Sequence, residues 1–375
     1  MTEWSDRFNP FNSEKLYAQL YRWSQIKEGD ELPPPALVTV DPVNGCDLDC
    51  VWCNAENIME KNRGMLNYKT LDNIARFLGN WKKGEWGVDG VCIAGGGEPL
   101  LHPYAGIFMK ELVENGVEPG VVTNGTHIDR HIPGLSRCTW VGVSVDAGTR
   151  GTYERLKKKD RFEKVLKNIQ ALRYCAEMAD TELAQPGRAR GISYKFLLHP
   201  GNAHEVYEAA KIARDIGCRN MHIRPAGIPW DKVGKQKSYF DERTIGVFRE
   251  QLGRARDLET DDFRVFGITH KFDGSFERHN PFRDCYAVFM TGLFSPSTAG
   301  GNYDFGLCCD RRGDERLTYV GLEDVEEVRR IWGSQDHWRR AKEIKVGECP
   351  RCTYRPHNQI YEKAIKEDNL SYKHI

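Results

Sequence analysis

The chain has no apolar run approaching the ~20 residues of a membrane span, and it has no net charge, since 54 basic residues stand against 54 acidic ones. The first absence argues against a membrane protein. The second removes any overall electrostatic ground for binding nucleic acid or an anionic lipid surface. No low-complexity tract and no repeat of solenoid period interrupts the chain. Charged Glu3, Asp6 and Arg7 do not read as a signal peptide, so its twelve cysteines do not read as a disulfide framework. The expectation is a cytoplasmic protein in a reducing compartment. Its 40% of hydrophobic residues suffice for a packed core in a chain of 375.

What is present is organised around residues 46–53, Cys-Asp-Leu-Asp-Cys-Val-Trp-Cys. The three thiols follow a CxxxCxxC spacing directly after an alternating, strand-like stretch at 37–41. Three thiolates on one loop ask for a metal. A structural zinc wants four protein ligands, whereas a cluster iron without a thiolate is free to bind something else; half of a zinc site remains the alternative.

Residues 1–36 read as a short leader with a helical stripe over 12–26, closed by Pro33-Pro34-Pro35. From 37 to 260 apolar strands alternate with amphipathic helices. Strands are expected at 37–41, 90–94, 120–123, 140–145, 192–198 and 221–224, and helices at 71–81, 104–115, 162–178, 203–216 and 242–256. Six such units call for a parallel sheet, either doubly wound or an incomplete barrel. Nearly every strand end carries a chemistry-bearing residue: the cysteines after the first, Gly95-Gly96-Gly97-Glu98-Pro99 after the second, Thr123-Asn124 after the third, Ser144 and Asp146 at the fourth, and Arg224 at the sixth. An open sheet would gather such residues near one switch point, so the α/β chain is expected to form a partial (β/α)6 TIM-like barrel. The glycine run would let a ligand approach the main chain, although glycines also serve simply to turn a strand into a loop.

CxxxCxxC with Trp52 before the third cysteine, followed by Gly96-Gly97-Glu98-Pro99 after a second strand, resembles the radical S-adenosylmethionine (SAM) superfamily over roughly residues 37–230. The resemblance implies that Cys46, Cys50 and Cys53 bind three irons of a 4Fe-4S cluster and that SAM chelates the fourth. Reductive cleavage of SAM would then give methionine and a 5′-deoxyadenosyl radical that abstracts hydrogen from a substrate. It further implies that Gly96, Gly97 and Glu98 line the methionine end, that Ser144 and Asp146 face the ribose or carboxylate side beside Thr123 and Asn124, and that Lys157 faces the SAM carboxylate. Trp52 and Arg224 complete the expected cofactor surroundings, with Arg224 alternatively holding a substrate anion or salt-bridging Asp146 or Glu98. The glycine motif departs from the family by the extra Gly95, and the fifth strand lacks a GxIxGxxE-like signature; it continues instead through Lys195 to Asn202.

After about 260 the alternation stops. Strand-like runs at 288–294 and 303–307 flank Gly300-Gly301 and suggest a hairpin that brings Cys285 and Cys308 together. A helix at 324–332 would return the chain to Cys349 and Cys352, so that four thiols converge on a complete cluster or a closed zinc site. Residues 261–375 resemble the Twitch form of the SPASM extension, a hairpin plus helix that usually holds an auxiliary 4Fe-4S cluster. The resemblance implies Cys285, Cys308, Cys349 and Cys352 as its ligands, with Cys308 ligating in the Cys308-Cys309 doublet. Cys309, left over, would be a hydrogen donor to a substrate radical, or simply a packed neighbour. Relatives of this architecture act as oxidoreductases or epimerases on small polar molecules of the sugar or aminocyclitol type, or modify ribosomal peptides or protein side chains. Only some 40 residues precede Cys46, which favours the small molecule over the peptide. A flavodoxin- or ferredoxin-type electron donor is the implied partner. A zinc-bound interaction protein is the non-enzymatic alternative.

Overall fold

The structure, a computed structural model, describes residues 13–185, 191–228, 232–268, 272, 276, 280–349 and 352–367. Its ten-stranded sheet is built from β1 (Leu37–Val40), β2 (Gly90–Ile93), β3 (Glu118–Thr123), β4 (Trp140–Ser144), β5 (Gly191–Leu198), β6 (Asn220–Pro225), β7 (Arg264–Gly267), β8 (Thr291–Ser295), β9 (Tyr303–Gly306) and β10 (Thr318–Leu322), in the order β10-β9-β8-β1-β2-β3-β4-β5-β6-β7. From β8 through β7 every pairing is parallel, and the last two strands fold back antiparallel. This is the expected open barrel-like arc, longer than six strands by β7 on one edge and β8 on the other.

Each strand places alternate residues against the helices. Val38, Val40, Val91, Ile93, Val121, Val141, Val143, Tyr194, Phe196 and Leu198 form one continuous core with the apolar faces of the helices. The helices are α1 (Glu56–Lys61), which contributes no residue to that core, and α2 (Tyr68–Asn80), α3 (Ala105–Glu114), α4 (Arg150–Lys157), α5 (Phe162–Met178), α6 (Val206–Asp215) and α7 (Glu242–Arg256), which do. Local chemistry fixes several of their starts: Asn67 caps α2 by accepting from Thr70 N at 2.8 Å, and Asp241 caps α7 from Thr244 N at 2.7 Å. None of the described helices is long and apolar enough to cross a membrane.

The tail begins with a 3₁₀ turn, Ala287–Phe289, where sequence had suggested the start of a strand. β8 then pairs with β1 in register Leu37 to Thr291 through Val40 to Phe294, so the hairpin extends the barrel sheet. The barrel likewise runs past residue 260, because β7 pairs with β6. Short helices α8 (Glu326–Ile331), α9 (Gln335–Lys342) and α10 (Arg355–Ile360) follow. The leader is a 3₁₀ segment, Ser13–Gln19, running into the helical turn Leu20–Ser24, with Leu16 and Trp23 buried and Tyr21 exposed.

Candidate functional site

The loop 46–53 leaves the carboxyl end of β1 and is held from three sides. Glu98 N donates to Gly45 O at 2.7 Å; Asp49 N and Val51 N donate to Lys157 O (3.2 Å) and Leu156 O (3.0 Å) in the last turn of α4. On the third side Asp47 accepts from Asn124 Nδ2 (2.7 Å) and Thr126 Oγ1 (2.8 Å), with His127 Nε2 at 3.3 Å. All three thiols are free, and Cys46 is exposed. Leu48 N and Asn124 Nδ2 lie 3.5 and 3.8 Å from Cys46 Sγ. Burial raises Cys50 and Cys53. Three free thiols on one loop are a donor set that fits an iron–sulfur cluster. Among the described residues no three Cys, His, Asp or Glu side chains are grouped so as to hold a single metal ion.

The glycines are required by their neighbours. A Cβ on Gly97 would fall 2.1 Å from Gly45 O, and one on Gly96 would fall 2.4 Å from Asn44 Oδ1. The main chain of 95–97 thus lies directly against the base of the cysteine loop. Glu98 is spent within the protein: Oε1 accepts from Leu100 N (3.0 Å) and Thr123 Oγ1 (2.6 Å), and Oε2 from Asn124 N (2.6 Å). It ties the end of β2 to the end of β3, and burial lifts it to about 7 against those bonds.

Asp146, at φ 63°, accepts from Leu197 N at 2.6 Å and pairs with Lys157. Lys157 is buried and lies 5.7 Å from the centre of the Trp52 ring. Burial opposes its charge, but Asp146 and Cys50 outweigh that and hold it above the usual lysine range. These two residues, taken from sequence as cofactor ligands, answer each other's charge. Asn202 Nδ2 donates to the Asp146 carbonyl at 2.8 Å. Ser144 is partly exposed, and Arg224 is exposed near the end of β6.

In the tail, Cys285, Cys308, Cys349 and Cys352 line one small cavity, closed by Val288, Leu307 and Tyr354 among others. Asn358 Nδ2 lies 3.9 Å from both Cys285 and Cys352 Sγ, and Arg311 lies 3.6 Å from Cys349 Sγ. Asn358 is itself fixed by accepting from Tyr286 N (2.7 Å) and Ala287 N (2.8 Å). Burial raises Cys285 to about 11 and Cys308 well above the ordinary thiol range. Cys309 does not line this cavity. It lies 3.9 Å from Tyr354 Oη and feels Arg312 and Cys92, and burial pushes it up to about 12. Arg312 crosses to the barrel and pairs with Asp41 at the end of β1.

Sequence reasoning passed over Asp47, Thr126, His127, Asn358 and the Asp41–Arg312 pair. Their types are common and their partners are distant in the chain, so spacing carries no mark of them.

Residues 40–174 match the model of the Radical SAM superfamily. GTP 3′,8-cyclase of Chlorobaculum tepidum is 30% identical over 143 residues, covering 36% of this chain and 40% of that protein. A probable GTP 3′,8-cyclase of Saccharolobus islandicus is 22% identical over 230 residues, 58% of this chain and 66% of that one. The chain spans about two-fifths of the length of the first curated relatives it matches. Among solved structures, Streptococcus suis SuiB bound to S-adenosylmethionine superposes with a TM-score of 0.58 at 14% identity, over 90% of this chain and 76% of that one. Native anSMEcpe with bound AdoMet gives 0.53 at 15%, over 91% and 100%. At these identities the two structures speak for the fold alone.

Proposed function

We propose, on the premise that this chain carries a radical SAM domain, that it is an oxidoreductase or epimerase acting on a small polar molecule of the sugar or aminocyclitol type, with a second cluster in its tail. Cys46, Cys50 and Cys53 would hold the first 4Fe-4S cluster, and the main chain at Gly96 and Gly97, with Thr123, Asn124 and Ser144 beside it, would receive SAM. Bound there, cluster and SAM supply an electron and a cleavable carbon–sulfur bond, the source of a hydrogen-abstracting 5′-deoxyadenosyl radical. The chain's own residues position this chemistry: α4 holds the cysteine loop, the glycine run backs it, and Lys157, paired with Asp146, lies near Cys50.

The observation that carries the proposal is the presence of two separated thiol sets, one on the β1 loop and one lining the tail cavity. Cys285, Cys308, Cys349 and Cys352 would hold the auxiliary cluster, with Asn358 and Arg311 presenting N–H groups to its thiolates. Cys309, which does not line that cavity, would be the thiol that returns a hydrogen atom. A flavodoxin or ferredoxin would deliver the electron. The test is metal analysis of anaerobically purified protein. About seven or more irons per chain, with matching sulfide, are expected, and Cys349→Ala should lower the count by up to about four while the first cluster assembles. Stoichiometric zinc, or an unchanged iron count in the variant, would sink the proposal.

A peptide or protein substrate is the second reading. One fold neighbour is SuiB bound to its precursor peptide SuiA.

A further inference from the structure

The inner face of the barrel strands keeps partial exposure. On β2 to β5 the residues turned toward the helices, such as Ile93, Val121, Val143 and Phe196, are fully buried, whereas Cys92, Val122, Trp140, Ser144 and Lys195 keep some exposure.

Lys195 is a cation of that face. It stands in register with Ser144 on β4 and His222 on β6. Its Nζ lies 5.4 Å from the centre of the Trp140 ring, and Trp140 stacks on His222 at 6.0 Å and 17°. Gly142 makes this possible, because a Cβ there would fall 2.5 Å from the Trp140 ring and 2.8 Å from Lys195 Cδ. The lysine stem therefore crosses β4 where a side chain is missing.

Among the described residues, the nearby carboxylates already have partners. Asp146 is engaged by Lys157 and Asp41 by Arg312. Burial raises the Cys92 thiol on β2, while Lys195 acts to lower it. Arg224 adds a second positive charge, and among the described residues no carboxylate pairs with Lys195. Burial first and Arg224 second bring Lys195 down to about 8, against weaker support from Cys92 and Asp146; a bound anion would oppose both effects.

We propose that Lys195 binds an oxyanion of the substrate, so that the small molecule handled at this inner face carries a carboxylate or a phosphate group. This deepens the function proposed above and rests on it, with the substrate taken to meet the bound SAM at the inner face of the barrel.

The test is competitive labelling of the anaerobically purified full chain with acetic anhydride near pH 8, read by mass spectrometry at Lys195 and at exposed Lys211. At constant ionic strength, inorganic phosphate or malonate should lower Lys195 labelling by about tenfold, the scale of one charge-assisted hydrogen bond, and leave Lys211 unchanged. Whichever of the two protects better identifies the oxyanion. Protection by neither, or by SAM alone, overturns the inference. Calorimetry gives an independent check: Lys195→Met should lose binding of the protecting anion and Lys195→Arg should retain it, and wild-type affinity in Lys195→Met overturns the inference. Should Lys195→Met fail to fold, the labelling of the wild-type chain decides. Formation of 5′-deoxyadenosine, measured on the same preparation, separates the two proposals. Cleavage of SAM without anion protection removes this inference alone, while protection without cleavage upholds the anion site and removes the proposed function.

Discussion

Lys157→Met removes the cation from an ion pair that is almost wholly out of water, with side chains 3% and 1% exposed. The substitution keeps the length of the aliphatic stem and leaves Asp146 buried with Leu197 N as its remaining side-chain hydrogen-bond donor. Breaking a buried pair from one side costs about 3–5 kcal/mol, and the surviving bond places the expected loss at about 3 kcal/mol. With a urea dependence of about 3 kcal/mol per M for a chain of this size, the midpoint should fall by about 1 M. Replacing both partners, in Asp146→Asn/Lys157→Met, retains the acceptor for Leu197 N and leaves no charge unanswered, so the double variant should recover more than half of the loss. The assay is anaerobic urea unfolding followed by tryptophan fluorescence for wild type, both single variants and the double variant. A midpoint for Lys157→Met within about 0.3 M of wild type at unchanged slope would refute the reasoning, since it would mean that the pair carries no net attraction in its buried setting.

Two glycines provide a matched contrast. Gly97→Ala should destabilise the chain by at least about 2 kcal/mol, because its methyl group meets the Gly45 carbonyl and nothing flexible can yield. Gly151→Ala, inside α4 with open space around it, should stabilise by about 0.5–1 kcal/mol; equal melting temperatures for the two would contradict the geometry. His337 donates from Nε2 to Val288 O at 3.1 Å and accepts from Gly333 N at Nδ1, and burial lowers it to about 4. Its unfolded form takes up a proton near pH 6.5 while the folded form does not, so stability is fully present above that pH and falls as the pH drops toward 4, by up to about 3 kcal/mol. His337→Gln should lack that slope, as pH-dependent urea midpoints would show; an unchanged slope would assign the acid sensitivity elsewhere.

Much of the barrel was legible because its strands are short apolar alternations and its helices carry long amphipathic stripes. α5 and α7 run over the residues expected. β10 escaped notice because it is partly exposed along its whole length and shows no buried face. β7 escaped because four residues at a sheet edge give too short a period to read. α4 was hidden by its length and by Gly151 and Thr152 near its start, both poor helix formers; its start depends on Thr149, which accepts from Thr152 N. The cysteines were legible because ligand spacing is a local property of a loop. The roles of Glu98, Asp146 and Lys157 were less so, because residue type alone does not say whether a charge faces a ligand or another side chain. Arg312 and Asp41 are 271 residues apart and Asn358 and Cys285 are 73 apart, distances over which only the folded chain brings groups together. Lys195 drew little notice in the sequence and acquires its setting from Gly142 and Trp140 on the neighbouring strand.

The central claim is that the β1 loop carries a radical SAM centre, and reductive cleavage of SAM tests it most directly. Anaerobic, dithionite-reduced protein incubated with SAM should form 5′-deoxyadenosine and methionine, and Cys50→Ala should form neither while its tail thiols still bind iron. Undiminished 5′-deoxyadenosine from Cys50→Ala, or none from the iron-loaded wild type, would contradict the account.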